Sequence, residues 1–308
     1  MSRIAAVDLG TNSTRLIVAD VEDGRISDVD RETRITRLGE GVDARRRLLP
    51  VPIARVRNVL SDYRRTLESL GAERTLLIAT SAVRDAENGE AFLGEIEWSY
   101  GFTTRLLSGD EEADLTLQGV GELYPGTVVV DVGGGSTELV SASERVTTNL
   151  GSVRLTERFL GSDPPTSEEL DEVRAAVRAV LAEHAVSASH GVGVAGTVTS
   201  LAALDLELVE HDSDRVHGHR LSEAAVQAQL ERLAALPLAE RREVPGLEPE
   251  RAPVIVAGAV ILLEAMRYLG LREVAVSERD LLDGAAVEAA KLPAPVEGDA
   301  PPGAYTCC

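Results

Sequence analysis

Cysteine is almost absent from this 308-residue chain: the only two are Cys307 and Cys308, adjacent at the C-terminal end. Neighbouring residues there can neither staple a fold nor build a structural zinc site, and a reducing cytosol fits. Lysine is scarcer still, with Lys291 alone beside thirty arginines. No window reaches ~18 uninterrupted apolar residues, which argues against a membrane span. Met1-Ser2-Arg3-Ile4 leads straight into a strand-like run, without the charged, apolar and small-residue regions of a secretion signal. A cytoplasmic protein is expected. The chain has 44% hydrophobic and 27% charged residues, an ordinary globular balance that excludes disordered, collagenous and coiled-coil classes.

Positive charge is also in short supply. The formal net charge is −20, so non-specific nucleic-acid binding is not expected. The distribution is uneven, however. Residues 31–65 hold ten arginines (Arg31, Arg34, Arg37, Arg45, Arg46, Arg47, Arg55, Arg57, Arg64 and Arg65) against four acids. One reading is a solvated face laced with ion pairs. The other is an anion-binding strip on a molecule that otherwise repels anions.

What is present is an internal repeat. IAAVDLGTNSTRLIV at 4–18 aligns without a gap with TVVVDVGGGSTELV at 127–140, 123 residues later. Asp8 matches Asp131, Gly10 matches Gly133, Ser13 matches Ser136 and Thr14 matches Thr137. A period this long indicates two related domains rather than a solenoid. Each copy reads as a buried strand, a glycine turn and a second strand. Strands are expected at 24–37, 75–79, 103–107, 145–149, 192–195 and 273–276. Helices are expected from about 50 to 70, 81–98, 108–121, 152–160, 166–187, 196–203, 221–235, 252–269 and 279–291. The resulting organisation is α/β, with domains at 1–124 and 125–292, a cleft between them, and a disordered Pro/Gly/Ala-rich tail at 293–308.

The repeated turn carries the chemistry. Asp8 stands at the carboxyl end of a buried strand, where ligand crevices form in open α/β sheets. The glycine permits a turn whose following amides can face an anion, and a carboxylate beside such a cradle can hold Mg²⁺. The plainer alternative is a tight hairpin in which Asp8 satisfies turn amides. In the second copy, Gly133, Gly134 and Gly135 are costly unless the backbone must approach something closely. Two such loops facing each other could clamp one chain of phosphates. No G-x-x-x-x-G-K-[ST] segment occurs, so this is not a P-loop. Arg84, in the first turn after a buried strand, can bind an anionic oxygen or pair with nearby acids; Asn88 follows one turn later. Ser108 and Glu111 have capping-box spacing, which gives Glu111 a structural task and leaves Glu112 facing elsewhere. Gly191-Val192-Gly193-Val194-Ala195-Gly196 fits G-x-G-x-x-G, but the strand lies inside the motif rather than before it, so a dinucleotide site is not expected. His217 reads as structural or solvated.

An ordered set of segments resembles the exopolyphosphatase and guanosine pentaphosphate phosphohydrolase (Ppx/GppA) family over roughly residues 3–290. The segments are Asp8 to Ser13, Thr36 to Gly41, Thr80 to Asn88, Ser108 to Ala113, Asp131 to Glu138 and Gly151 to Glu157. The resemblance implies duplicated actin/Hsp70/sugar-kinase-like (ribonuclease H-like) domains, in a short form without the extra C-terminal domain of longer members. It also implies that Glu112 is the catalytic glutamate that activates water, and that Glu138 is a second acid that helps bind metal or water.

The function expected from residues and resemblance together is Mg²⁺-dependent removal of the terminal phosphate of inorganic polyphosphate. Asp8, Asp131 and Glu138 are the expected metal ligands. Gly10, Thr11, Asn12, Ser13, Arg84, Gly133, Gly134, Gly135 and Ser136 are the expected phosphate contacts. A guanosine pentaphosphate 5′-phosphohydrolase and a non-hydrolytic nucleotide-binding regulator of the same fold are the alternatives. The expected partner is polyphosphate or a (p)ppGpp-type polyanion, not nucleic acid or membrane; a homodimer is left open.

Overall fold

The computed structural model describes residues 2–293. Of the tail expected at 293–308, residues 294–308, including Cys307 and Cys308, lie outside the described residues. The chain divides into two compact units. One runs from the N-terminus to Val120 and resumes at Leu281; the other is Gly121–Asp280.

The first unit opens with β1 (Ser2–Leu9), β2 (Ser13–Glu22) and β3 (Arg25–Ile35). Then come α1 (Val42–Arg45), α2 (Pro50–Ser69), β4 (Arg74–Ala79), α3 (Ser81–Arg84), α4 (Gly89–Tyr100), β5 (Thr103–Leu106) and α5 (Gly109–Val120). The sheet order is β3-β2-β1-β4-β5. β2 is antiparallel to both β1 and β3, while β4 runs parallel to β1 and β5. Strand period explains the apolar run Ile4–Val7 of β1, which is buried on both faces. Ala5, Val7 and Leu9 enter one core with Val56, Leu60 and Tyr63 of α2, whereas Ile4 and Ala6 enter another on the opposite face. α2 begins at Pro50, where a missing N–H costs nothing.

The second unit has β6 (Thr127–Val132), β7 (Thr137–Val140), β8 (Arg145–Thr148), α6 (Ser152–Phe159), α7 (Ser167–Leu181), β9 (His190–Val194), α8 (Ala195–Asp205) and α9 (Ser213–Val216). It continues through β10 (Arg220–Ser222), α10 (Glu223–Ala234), α11 (Leu238–Arg241), α12 (Ile255–Tyr268) and β11 (Glu273–Val276). Its sheet order is β10-β11-β9-β6-β7-β8. From β6 outward the pattern of the first sheet recurs: β7 and β8 antiparallel on one side, β9 and β11 parallel on the other. The two sheets thus repeat one arrangement, as the internal repeat implies for two related α/β domains. The Thr166–Glu169 capping box forms as its spacing predicts. Among the described residues no helix is long and apolar enough to cross a membrane.

Three expectations are corrected. The helix expected at 81–98 is two helices, because Gly89 packs against the Val83 carbonyl where no side chain fits, and Asn88 bonds the backbone of Leu48 instead. The helix expected at 166–187 stops at Leu181. The last helix, α13 (Leu281–Lys291), belongs to the first unit and not to a 125–292 domain. Leu281, Leu282, Ala285, Ala286 and Ala289 of α13 cover Ile4, Ala6, Ile17 and Ile78, a sheet face that would otherwise meet water.

α13 touches α5 at Gly284, where a methyl group would overlap the carbonyl oxygen of Leu115. Helix propensity alone favours Ala over Gly by about 1 kcal/mol. The obstructing atom is backbone and cannot swing aside, so overpacking wins. Gly284→Ala should destabilise the protein by about 2 kcal/mol, read as a lower urea midpoint; an unchanged or higher midpoint would show that the helices separate freely.

Candidate active site

In the first unit, β1 ends in a hairpin whose Gly10 amide donates to the Ser13 carbonyl at 3.0 Å. Gly10 sits at the turn, as expected, without a left-handed backbone. Space explains it: a Cβ would stand 3.0 Å from the Ser13 oxygen. Other segments brace the hairpin. The amides of Thr36 and Arg37 donate to the Asn12 carbonyl at 3.1 and 2.8 Å, and Gly39 donates to Thr11 at 2.8 Å. The Thr11 hydroxyl meets that of Ser81 at 2.8 Å. Asn12 Oδ1 is buried and has no hydrogen-bond partner among the described residues, an acceptor suited to a ligand hydroxyl or water.

Glu111 and Glu112 separate as the capping argument predicts. Glu111 accepts from the Ser108 amide at 2.8 Å and its hydroxyl at 2.9 Å, and from Arg105 at 2.6 Å. The Ser108 amide, helped by Arg105, holds its carboxyl down at about 2. Glu112 is only 6% exposed. Burial pushes its carboxyl up to about 7, with smaller upward contributions from Asp8 and Asp85, against the opposing pull of Arg84. Arg84 donates to Glu112 Oε1 and to the Leu107 carbonyl, the latter at 2.7 Å. The acid that takes this bond is Glu112, not the sequence neighbours Asp85 and Glu87. Asp8, 4% exposed, receives Arg15 Nε at 2.9 Å and Nη2 at 2.7 Å.

The second unit repeats the hairpin, with Gly133 donating to Ser136 at 3.0 Å. The glycines do meet a close neighbour, but it is the chain itself. Ser152 and Val153 at the start of α6 donate to the carbonyls of Gly133 and Gly134 at 3.0 and 2.9 Å. A side chain at Gly151 would overlap Gly134 and Gly135. Arg154, 8% exposed, donates Nε to the Gly135 carbonyl at 2.9 Å. Sequence reasoning gave Arg154 no role. The available signal was an arginine between Val153 and Leu155 on a helix whose first turn is buried.

Strand register separates the two copies. Asp8 is paired across strands with Arg15, and Asp131 at the matching place with Glu138. Asp131 is 9% and Glu138 3% exposed. Opposed positions on an antiparallel pair face the same side. Two buried carboxylates there suit Mg²⁺, which takes one or two carboxylates and completes its shell with water and phosphate oxygens. Of the three expected ligands, Asp131 and Glu138 stand together in the second unit, and Asp8 lies in the first. The Arg15 ion pair already compensates Asp8.

The G-x-G-x-x-G segment serves packing. A Cβ at Gly191 would lie 2.7 Å from Leu271, one at Gly193 2.7 Å from Val198, and Gly196 lies against Arg251. His217 accepts the Glu278 amide at 3.3 Å, a structural contact.

Known proteins match this arrangement along nearly its whole length. The Ppx/GppA phosphatase family profile matches residues 17–292. Exopolyphosphatase 2 of Mycobacterium tuberculosis is 41% identical, over 94% of this chain and 99% of its own. The crystal structure of an exopolyphosphatase-like protein superposes with a TM-score of 0.87 at 33% identity, covering 93% of this chain and 97% of that one. The Aquifex aeolicus Ppx/GppA family member gives 0.77 at 31% identity, covering 94% and 98%. Duplicated sheet order, paired glycine hairpins and full-length similarity lead to one conclusion: the chain belongs to the Ppx/GppA phosphatase family.

Proposed function

We propose that the chain is an exopolyphosphatase that hydrolyses the terminal phosphoanhydride bond of inorganic polyphosphate. The observation that carries this reading is Glu112, a buried carboxylate poised near neutral pH and held by an arginine. A base is most effective when its pKa lies near the working pH. Phosphoryl transfer needs positioning and charge neutralisation more than covalent help. The loop after Gly10 in the first hairpin, with Arg84, would hold oxygens of the terminal phosphoryl group. As that phosphate engages Arg84, Glu112 is released to take a proton from water. The water oxygen bonds to phosphorus, the bridging P–O bond breaks, and the shortened chain leaves with the electron pair. Mg²⁺ held by Asp131 and Glu138 would neutralise charge developing on the phosphate oxygens. The name carried by the 41%-identical relative supports polyphosphate as substrate. A regulator without turnover has no use for a buried base at this place.

Phosphate release from long polyphosphate, tripolyphosphate and guanosine pentaphosphate, compared with Mg²⁺ present, tests the reading. Release from polyphosphate is expected. Release from guanosine pentaphosphate alone would transfer the chain to the phosphohydrolase reading, and release from none would leave the regulator.

A further inference from the structure

Most of the arginine-rich segment at 31–65 is committed to acids. Arg31 pairs with Asp28 and Asp283, Arg34 with Glu32, Arg55 with Glu40, Arg57 with Glu95, Arg64 with Glu68 and Arg65 with Asp62. For Arg34, Arg55, Arg57, Arg64 and Arg65 the solvated-face reading holds, whereas Arg31 reaches the buried Asp283. Arg45, Arg46 and Arg47 differ: all three are exposed, and among the described residues none has an ion pair.

Their loop is nevertheless fixed. Leu48, which follows them, is buried in the core of the first unit. Its amide donates to Asn88 Oδ1 at 2.8 Å, and Asn88 Nδ2 donates back to the Leu48 carbonyl at 3.1 Å. The Arg46 carbonyl accepts the Glu87 amide at 2.8 Å. Asn88, weighed from sequence as an anion ligand, is thus a splint. Glu87 lies three residues beyond Arg84, which touches Glu112. At ~3.8 Å per residue, Arg84 and Glu87 are at most about 11 Å apart along the chain. One hydrogen bond then reaches Arg46. Asp43 on α1 and exposed Glu87 are acids in the adjoining segments. On a chain of net charge −20, three clustered guanidiniums are a local exception. Charges are screened within ~8 Å at physiological salt, so only such a local group can attract a polyanion.

We infer that Arg45, Arg46 and Arg47 form a distal subsite for internal phosphates of a long inorganic polyphosphate whose end lies at Glu112. This rests on the exopolyphosphatase reading and adds to it a preference for long chains. Guanidiniums are suited to the task, since each offers a fork of donors to phosphate oxygens.

The test is the triple variant Arg45→Gln, Arg46→Asn, Arg47→Gln in the full chain. Asn is chosen because Arg46 has φ 53°, a conformation Asn tolerates. Steady-state kinetics are measured on long polyphosphate and on tripolyphosphate at low and physiological salt. KM for long chains should rise about tenfold at low salt with kcat within about twofold, and KM for tripolyphosphate should stay. The log–log dependence of KM on salt should become shallower by about 2, because each phosphate that an arginine neutralises on a single-stranded polyanion adds ~0.7 to that slope. Equal long-chain KM in variant and wild type would overturn the subsite. An equal rise for tripolyphosphate would overturn its distal position. Failure of the wild type to release phosphate from either polyphosphate would instead remove the reading on which it rests.

Discussion

Replacing Glu112 with Gln should lower kcat by about 10²–10⁴-fold, the usual cost of losing a general base. The neutral isostere keeps the shape of a buried site and can still accept from Arg84, so substrate binding should survive. pH provides a second readout. Glu112 acts as a base only when ionised, and burial places its carboxyl at about 7. Wild-type kcat/KM should therefore rise with pH through about 7 and level off above it; in Glu112→Gln that limb should vanish. Glu111→Gln is the control. It weakens a cap worth about 1 kcal/mol and should leave kcat nearly intact. Normal turnover in Glu112→Gln with loss in Glu111→Gln would reverse the assignment of the two carboxylates.

The second large effect concerns Mg²⁺. Sequence makes Asp8 and Asp131 equivalent, and on that basis both should serve a metal alike. Cross-strand partners make them different: Asp8 faces Arg15, Asp131 faces Glu138. Asp131→Asn or Glu138→Gln should raise the Mg²⁺ concentration for half-maximal activity by about 10–100-fold. Asp8→Asn should lower activity without moving that midpoint, because it uncovers the Arg15 charge beside the hairpin. A Mg²⁺ titration of the three variants decides the matter. Equal displacement in all three would restore Asp8 as a ligand; no displacement in Asp131→Asn and Glu138→Gln would remove both.

The hairpins were legible because each combines a fully apolar strand, an aspartate and a glycine turn in one short stretch. The Ser108–Glu111 cap was legible for the same reason: donor and acceptor are three residues apart. What escaped depends on partners distant in sequence. The ion pairs that occupy Arg57 and Arg31 reach to Glu95 and Asp283. Arg154 looks like any helical arginine until the Gly135 carbonyl comes to meet it. The break before Gly89 follows from close packing against Val83 and from Leu48, forty residues earlier, taking the Asn88 side chain. Register across the hairpins, which opposes Glu138 to Asp131, was implicit in their equal length but was not drawn from it.

The return of α13 to the first unit sets an order of assembly on the ribosome. The second unit, Gly121–Asp280, is continuous and has every element of its core once residue 280 has emerged. The first unit begins earlier but ends later, because Leu281, Leu282 and Ala285 must still arrive to cover Ile4, Ile17 and Ile78. At ~5–20 residues per second, synthesis of the intervening segment takes about 8–30 s. During that interval the oldest strands of the nascent chain present an uncovered apolar face. Domains generally mature from the N-terminus onward; here the first to begin is the last to close.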